Sequence, residues 1–267
     1  MSGYGVELAG VHFGYDARPV LAGVSLTIAA GESVALLGPN GVGKTTLTRL
    51  IVGLLRPRAG AARVGDWNVA PRRPDEMARC VGYAFQHADQ QLFARTVRDD
   101  VAFGPRQLGL GAKGVDAALA ELELTAAADQ HPYDLPAPAR KLVALAGVFA
   151  MRPGVLVLDE PTAGMDLAMR DLVIAAVRRR SERGVTVLMV SHDLAFVAET
   201  AERVVVLRDG RVAADRPARE LLTDVAALAS LGLRPPAAAA VGLALGLAGR
   251  PVRASDVTAR LSGVTWK

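Results

Sequence analysis

One segment of the chain has the residue types and spacing needed to hold a row of phosphates: it runs Gly38-Pro39-Asn40-Gly41-Val42-Gly43-Lys44-Thr45. It fits the P-loop pattern, and it lies between a short apolar run and a helical pattern, as that motif requires. Its glycines let backbone N–H groups curl around a phosphate, and the following helix adds its dipole. Lys44 brings positive charge to the β- and γ-phosphates, and the Thr45 hydroxyl is a suitable ligand for Mg²⁺.

A solvated glycine-rich turn is the alternative to this interpretation, but lysine is rare in the chain, so a chance match is improbable. The segment therefore predicts a site for ATP and Mg²⁺. The expected contacts are Asn40, Gly41, Val42, Gly43, Lys44, Thr45 and Thr46.

Two adjacent carboxylates complement the P-loop. Residues 155–158 are a continuous apolar run that ends in Asp159 and Glu160. A strand that ends this way places a carboxylate at the edge of a parallel sheet where open α/β sheets bind ligands. We expect Asp159 to hold Mg²⁺ in its outer shell, and Glu160 to orient and deprotonate the attacking water. Alone, such a run is more often an ordinary strand end; beside a P-loop, the functional interpretation is favoured.

Two more polar residues follow predicted strands. His192 comes after the strand at 185–190 and is expected to reach the γ-phosphate, whereas Gln86 follows the strand at 81–85 and is expected to place its amide near the metal and the water. A hydrolase triad of Ser191, His192 and Asp193 is disfavoured, because adjacent residues of a strand point to opposite faces. Without the other motifs, Gln86 would be an ordinary loop residue.

The elements that must position these residues alternate between strand and helix patterns. Strands are predicted at 6–11, 24–28, 33–37, 61–69, 81–85, 155–158, 185–190 and 204–207. Helices are predicted at 45–55, 97–103, 115–122, 141–151, 166–181 and 194–201. This alternation predicts an α/β fold with a parallel sheet and crossover helices. Around residue 230 the pattern dissolves into a tail rich in proline, alanine and glycine.

Composition narrows the possible partners. The 267 residues, 51% of them hydrophobic and 22% charged, suggest one large domain or one domain with an appendage. Only 4% are aromatic at a net charge of +4, so we expect no nucleic-acid partner. Cys80 is the single cysteine, which excludes an internal disulfide. No signal peptide is recognisable and the longest apolar run, 237–249, is too short to span a bilayer, so we expect a soluble, intracellular chain.

The order of P-loop, Gln86, Asp159-Glu160 and His192 resembles the nucleotide-binding subunits of ABC ATPases, over about residues 4–225. The resemblance implies a P-loop NTPase fold: a RecA-like parallel-sheet core, an antiparallel β subdomain and a helical subdomain at about 88–150, all within a domain spanning 1–230. It also places Asp166 in the D-loop of the family. Tyr15 or Phe13 would stack on adenine, with a packing role for Tyr15 as the alternative.

A narrower resemblance lies in residues 81–93, 96–97 and 100–105, which are similar to the energy-coupling-factor branch of that family. This branch imports vitamins and transition-metal ions, and we favour cobalt or nickel. It implies an extra short helix after Gln86 and a C-terminal extension, 231–267, that helps two ATPases dimerise. The implied partners are a transmembrane coupling subunit, a substrate-capture membrane subunit and a second ATPase subunit, identical or different. The chain would then lie peripherally on the cytoplasmic face of the membrane.

Two other functions stay open at this point. One is a non-transport ABC ATPase of DNA repair or translation, although this chain has neither the long coiled coil nor the second cassette typical of such proteins. The other is a regulatory subunit that binds nucleotide and hydrolyses it weakly.

One segment departs from the family pattern. The signature segment, normally Leu-Ser-Gly-Gly-Gln, is here Leu135, Pro136, Ala137, Pro138 and Ala139. The prolines remove a hydroxyl and two N–H groups, and Ala139 lacks an amide, so fewer donors remain for a γ-phosphate. In the family, each ATP lies between the P-loop of one subunit and the signature segment of the other. We therefore expect asymmetry: a full site opposite a partner with an intact signature, and a weakened reciprocal site.

Overall fold

A computed structural model describes residues 3–16, 18–87 and 91–262. The strands are β1 (Val6–Tyr15), β2 (Arg18–Ile28), β3 (Ser33–Leu37), β4 (Ala59–Val64), β5 (Trp67–Asn68), β6 (Val81–Ala84), β7 (Val155–Asp159), β8 (Thr186–Val190), β9 (Arg203–Arg208) and β10 (Arg211–Pro217).

The helices are α1 (Lys44–Ile51), α2 (Pro74–Met77), α3 (Val97–Gln107), α4 (Lys113–Glu121), α5 (Ala137–Ala150), α6 (Leu167–Glu182), α7 (Leu194–Thr200), α8 (Ala218–Thr223), α9 (Val225–Ser230), α10 (Ala237–Ala244) and α11 (Ala254–Leu261). Short 3₁₀ turns cover Thr125–Ala127 and Pro132–Asp134. In the described residues, no helix combines the length and the apolar character needed to cross a bilayer.

The larger sheet has the strand order β10-β9-β3-β8-β7-β6, with β10 antiparallel to β9 and the remaining pairs parallel. Every residue of β3, β7 and β8 is buried, as expected of strands covered on both faces. Their register brings three strand ends to one edge, since Val190 pairs with both Leu36 and Asp159. The P-loop, Glu160 and His192 therefore leave the sheet side by side.

The two faces of this sheet pack in separate cores. Alternate residues of β3 point to opposite sides: Val34 and Leu36 join one core, and Ala35 and Leu37 join the other. The first core includes apolar residues of α1 and of a smaller antiparallel sheet with the order β2-β1-β4-β5. The second holds apolar residues from α3 to α7. The edge that carries the P-loop is thus packed from both sides.

Several elements differ from the sequence prediction. The predicted strand at 61–69 is wrong as a single strand: β4 and β5 form a hairpin that turns at Gly65, whose φ is 53°. Helix α1 ends at Ile51 instead of 55, because the chain turns at Gly53 with φ 76°. Strand β10 was not predicted, since its alternating residues are exposed or half-buried and carry little apolar character.

The tail beyond residue 230 is also more regular than predicted, since α10 and α11 lie within it and contact each other. Pro236 precedes α10, and alanine has the highest intrinsic helix propensity, which explains a helix with no amphipathic pattern. The predicted boundaries of the helical subdomain and of the extension stay predictions, and residues 263–267 of the extension lie outside the described residues. So do 88–90, where the extra short helix was expected to begin.

Candidate active site

A cleft of about 1310 Å³ opens at the edge where β3, β7 and β8 end. It brings together residues that are distant in sequence and were predicted to share a site. Its lining includes Tyr15, Asn40, Gly41, Val42, Gly43, Lys44, Thr45, Thr46, Gln86, Asp159, Glu160 and His192. The cleft therefore holds each predicted nucleotide-contacting and catalytic residue, whereas the signature segment and Asp166 lie elsewhere.

The P-loop depends on glycine at two points. Gly38 has φ 142°, and a Cβ there would lie 2.3 Å from the Leu207 carbonyl oxygen. Gly43 has φ 107°, and a Cβ there would lie 2.8 Å from a methyl carbon of Leu21. Gly43 is also the N-cap of α1 and has no side chain to bond the first N–H groups of that helix. Those N–H groups consequently point at the cleft as donors for an anion.

Lys44 is buried at the base of the loop. Its Nζ donates hydrogen bonds to the carbonyl oxygens of Gly38, at 2.7 Å, and Pro39, at 2.9 Å. Burial lowers the pKa of Lys44, while the nearby carboxylates of Glu160 and Asp159 act in the opposite direction. An ammonium group has three N–H donors. Two of them bind the carbonyl oxygens of the loop, so the third is available to a phosphate oxygen.

Asp159 is almost fully buried and receives two hydroxyl groups. Thr45 Oγ1 donates to Asp159 Oδ2 at 2.9 Å, and the Tyr83 hydroxyl donates to the same oxygen at 3.3 Å. Burial raises the pKa of Tyr83 to about 12, so the phenol stays protonated and remains a donor. Thr48 Oγ1 lies 3.2 Å from the same phenol oxygen. Tyr83 was not predicted as a site residue, although its place on β6, beside β7, was a usable signal.

This oxygen-rich pair suits magnesium. Mg²⁺ is usually held by one or two carboxylates together with substrate phosphates and water. A hydroxyl and a carboxylate meet here beside the phosphate loop, and the described residues contain no cluster of three or more His, Cys, Asp or Glu that would suggest an all-protein cage. The residues present therefore fit a metal that arrives with the nucleotide.

Glu160 occupies a strained and incompletely bonded position. Its φ is 50°, in the left-handed region that non-glycine residues avoid. Its backbone N–H donates to the Val190 carbonyl at 2.8 Å, and its Oε2 accepts from the His192 N–H at 3.3 Å. The other carboxylate oxygen, Oε1, is buried and has no hydrogen-bond partner in the structure. Burial raises the pKa of Glu160, which favours a proton acceptor of the kind a general base requires.

His192 stands at the mouth of the cleft, with 53% of its side chain exposed and Nε2 3.6 Å from Glu160 Oε1. Its neighbours have other roles. Ser191 is buried and accepts a hydrogen bond from the Asp193 N–H, while Asp193 caps α7 by accepting from Ala195 and Phe196 at 3.0 Å each. These structural roles agree with the prediction that the three residues do not form a hydrolase triad.

Gln86 is exposed and lines the cleft, whereas Gln91 holds the neighbouring backbone. The Gln91 side chain accepts from the Phe85 N–H and donates to the Tyr83 carbonyl, both at 3.1 Å. Gln91 was not predicted to have a role at the site. Its amide closes the turn after β6 and leaves Gln86 free to face the cleft.

Tyr15 lies at the end of β1 and is 45% exposed in the cleft. Its ring meets Phe13 edge-on, with centroids 5.0 Å apart and planes at 85°. Phe13 is half-buried and packs against the core. Tyr15 therefore has an open ring face, and Phe13 supports it from behind.

The signature segment starts α5, away from the cleft of its own chain. Pro136 is the N-cap of this helix and Pro138 is its second residue, so the predicted loss of donors falls on the first helical turn. Asp166 caps α6 by accepting from the Met169 N–H at 2.9 Å. Within the described chain, neither Asp166 nor residues 135–139 line the P-loop cleft.

Comparison with known proteins agrees with this geometry. A family model described as "ABC transporter" matches residues 21–163. The chain is 43% identical over 219 residues to the cobalt import ATP-binding protein CbiO of Rhodobacter capsulatus, covering 80% of this chain and 78% of that protein. It is 38% identical over 239 residues to the energy-coupling factor transporter ATP-binding protein EcfA of Methanothermobacter thermautotrophicus, covering 86% and 76%.

A solved structure has the same fold. It is cbiO1 from Clostridium perfringens, described as part of the ABC transporter complex cbiONQ. The TM-score is 0.76 at 29% sequence identity, and the match covers 92% of this chain and 100% of that one.

Proposed function

The chain belongs to the ABC transporter family, as an ATPase of the energy-coupling-factor type, and we propose that its cleft hydrolyses ATP to drive uptake of a transition-metal ion. The observation that carries the site assignment is the convergence of Lys44, Thr45, Asp159, Glu160 and His192 in one cleft. These residues come from three separate parts of the chain and meet because their strands end at the same edge.

Hydrolysis follows from the positions of these groups. A water held by Glu160 Oε1 attacks the γ-phosphorus, and the bond from that phosphorus to the β–γ bridging oxygen breaks. The proton released by the water moves to the Glu160 carboxylate, and ADP and inorganic phosphate are the products. Lys44 and the N–H groups of the P-loop stabilise the charge on the phosphate oxygens, and His192, beside Oε1, donates to the γ-phosphate.

Three residues would hold the magnesium ion that accompanies ATP. Thr45 would bind it directly and Asp159 would hold its water shell, with Gln86 completing the oxygen ligands from the side of β6. When bound, Mg²⁺ would supply positive charge that neutralises part of the charge on the phosphate oxygens. Tyr83 and Thr48 keep the Asp159 carboxylate in place for that task.

The adenine is assigned to Tyr15, because its ring is exposed in the cleft while Phe13 is packed against the core. Base stacking on an aromatic side chain is sequence-tolerant and contributes about 1–3 kcal/mol. The cleft is open on the side where the γ-phosphate would lie, and we propose that a second ATPase subunit covers that side. A partner with an intact signature segment suits this chain best, because residues 135–139 offer few donors in return.

The transported ion is proposed to be cobalt or nickel. The support is the CbiO relative, which is named for cobalt import and shares 43% identity. The chain would act at the cytoplasmic face of the membrane, attached to a coupling subunit and a substrate-capture subunit.

This proposal is tested by affinity purification of the tagged chain from detergent-solubilised membranes, followed by identification of the proteins that copurify with it. We expect two integral membrane proteins and a second ATPase to copurify. Reconstituted with its ATPases facing the lumen, the complex should accumulate radioactive cobalt in liposomes only when ATP is enclosed. Uptake of a vitamin and not of cobalt or nickel would overturn the substrate. Copurification with DNA-repair or ribosomal proteins alone would overturn the transport function.

A further inference from the structure

The turn that follows Glu160 accepts hydrogen bonds from a lysine on another element, the helix α5. Lys141 lies on α5, directly after the signature segment and Arg140, and its Nζ reaches two backbone carbonyls of residues 160–163, here called the catalytic loop. It donates to the Ala163 oxygen at 2.8 Å and to the Glu160 oxygen at 3.2 Å. The two acceptors are the first and last carbonyls of the loop, so one ammonium group joins its ends.

The backbone conformation of Glu160 is one that contacts of this kind are needed to stabilise. With φ at 50°, Glu160 persists only if surrounding interactions hold it there. On its amino side the N–H is fixed to the Val190 carbonyl of β8 at 2.8 Å. On its carboxyl side the carbonyl accepts from the Ala163 N–H at 3.3 Å and from Lys141. Lys141 thus supplies a charged donor on the side where the backbone alone offers one long hydrogen bond.

The surroundings favour this role over that of a solvated surface lysine. Lys141 is half-buried, and its charge faces the Glu160 and Asp159 carboxylates, which attract it while burial lowers its pKa. A lysine side chain normally keeps its ammonium group in water. Here the group lies on two carbonyls next to the residue proposed to activate water.

We propose that Lys141 is a positioning residue for ATP hydrolysis: it ties the signature helix α5 to the backbone that carries the Glu160 carboxylate in the same subunit. This inference rests on the proposed role of Glu160. It implies that displacement of α5, where the second ATPase subunit is proposed to bind, is transmitted directly to the group that activates water. The catalytic loop then responds to the partner through one side chain.

The test compares steady-state ATP hydrolysis and nucleotide binding in the full chain and three variants. Lys141→Met keeps the length of the side chain and removes its charge and donors, and it should lower kcat about tenfold while KM for ATP stays within about twofold. Lys141→Arg keeps charged donors and should retain at least half of kcat. Lys113→Met, on the exposed start of α4, is the matched control and should equal the wild type.

If thermal melting shows that Lys141→Met is not folded, Lys141→Gln replaces it in the test. Its shorter, neutral amide cannot bridge both carbonyls, so this variant should also have a lower kcat. A folded Met or Gln variant with unchanged kcat would overturn the inference. So would an Arg variant as slow as the Met or Gln variant, because charged donors would then not be the cause.

Glu160→Gln separates this inference from the proposed function. If Glu160→Gln leaves hydrolysis unchanged, the role of Glu160 is wrong, and the inference that depends on it falls too. If Glu160→Gln abolishes hydrolysis while folded Lys141→Met is fully active, only the inference fails. If Lys141 acts through Glu160, Lys141→Met should cause no further loss in the Glu160→Gln background, whereas an additive loss would contradict the inference.

Discussion

The hydroxyl of Thr45 donates a hydrogen bond of 2.9 Å to the carboxylate of Asp159, across 114 positions of sequence. The bond joins the first turn of α1 to the end of β7, and therefore joins the phosphate-binding loop to the residue that precedes Glu160. The proposed sites of phosphate binding and of water activation are in this way linked by a direct hydrogen bond.

Thr45→Val tests that link. The substitution keeps the shape of the side chain and removes its hydroxyl, so we expect the Mg²⁺ concentration for half-maximal ATPase activity to rise about tenfold, as for a lost charge-assisted bond. A magnesium titration at saturating ATP measures it. Thr27→Val, an exposed threonine on β2, is the control. An unchanged magnesium requirement in the Thr45 variant would show that its hydroxyl is not a ligand.

Tyr15→Ala tests the adenine contact. Loss of the stacking surface should weaken ATP binding about five- to tenfold, corresponding to roughly 1–1.4 kcal/mol, while kcat at saturation is retained. Phe13→Leu keeps an apolar side chain against the core and should bind ATP nearly as the wild type does. Fluorescence titration with a ribose-labelled ATP analogue measures both variants. The reverse ranking would assign the adenine to Phe13.

The signature segment provides a gain-of-function prediction. Replacing residues 136–139 by Ser-Gly-Gly-Gln restores donors to the first turn of α5, and the ATPase rate of the chain without other ATPase subunits should rise about tenfold. Pro136→Ala combined with Pro138→Ala removes the rings without adding a hydroxyl or a side-chain amide, and should give a smaller increase. A homomeric wild-type protein that already turns over rapidly, or no gain on restoration, would contradict the expected impairment.

Cys80 offers a readout of fold stability. It is the only cysteine and is buried just before β6, and burial raises the pKa of its thiol, so less of the reactive thiolate is present at a given pH. Because the pKa is raised, reactivity should stay low at pH 8 and increase only at a more alkaline pH than for a free cysteine. A disulfide reagent monitored by absorbance should modify the native chain at least about tenfold more slowly than the denatured chain. Equal rates would mean that this end of β6 is open.

The central strands and the site residues on them could be predicted because their signals are local. The apolar runs at β3, β7 and β8 and the polar residues after them are adjacent in sequence, and parallel pairing then brings them together. The predicted α/β fold of an ABC nucleotide-binding domain is confirmed by the structural match to cbiO1. Helix α10 of the tail was not predictable from periodicity, since it is apolar all round.

The residues that contact the proposed site residues could not be predicted from the sequence. Tyr83, Gln91 and Lys141 each make side-chain hydrogen bonds to backbone or side-chain groups near the proposed site, and no spacing rule encodes such contacts. The left-handed conformation of Glu160 is likewise imposed by its neighbours, because glutamate has no intrinsic preference for it. The residues proposed to bind ATP and activate water could therefore be named from the sequence, whereas the residues that contact them could not.

The rate of ATP hydrolysis by the Glu160→Gln variant tests the proposed role of Glu160 most directly. The substitution keeps the size and most hydrogen bonds of the side chain but removes its ability to accept the proton of water. We expect ATP binding within about threefold of the wild type and a kcat lowered by about 10²–10⁴. Phosphate release in the full complex, with nucleotide affinity measured in parallel, decides the matter. Unchanged kcat in a folded, ATP-binding variant would contradict the assignment of Glu160 as the base.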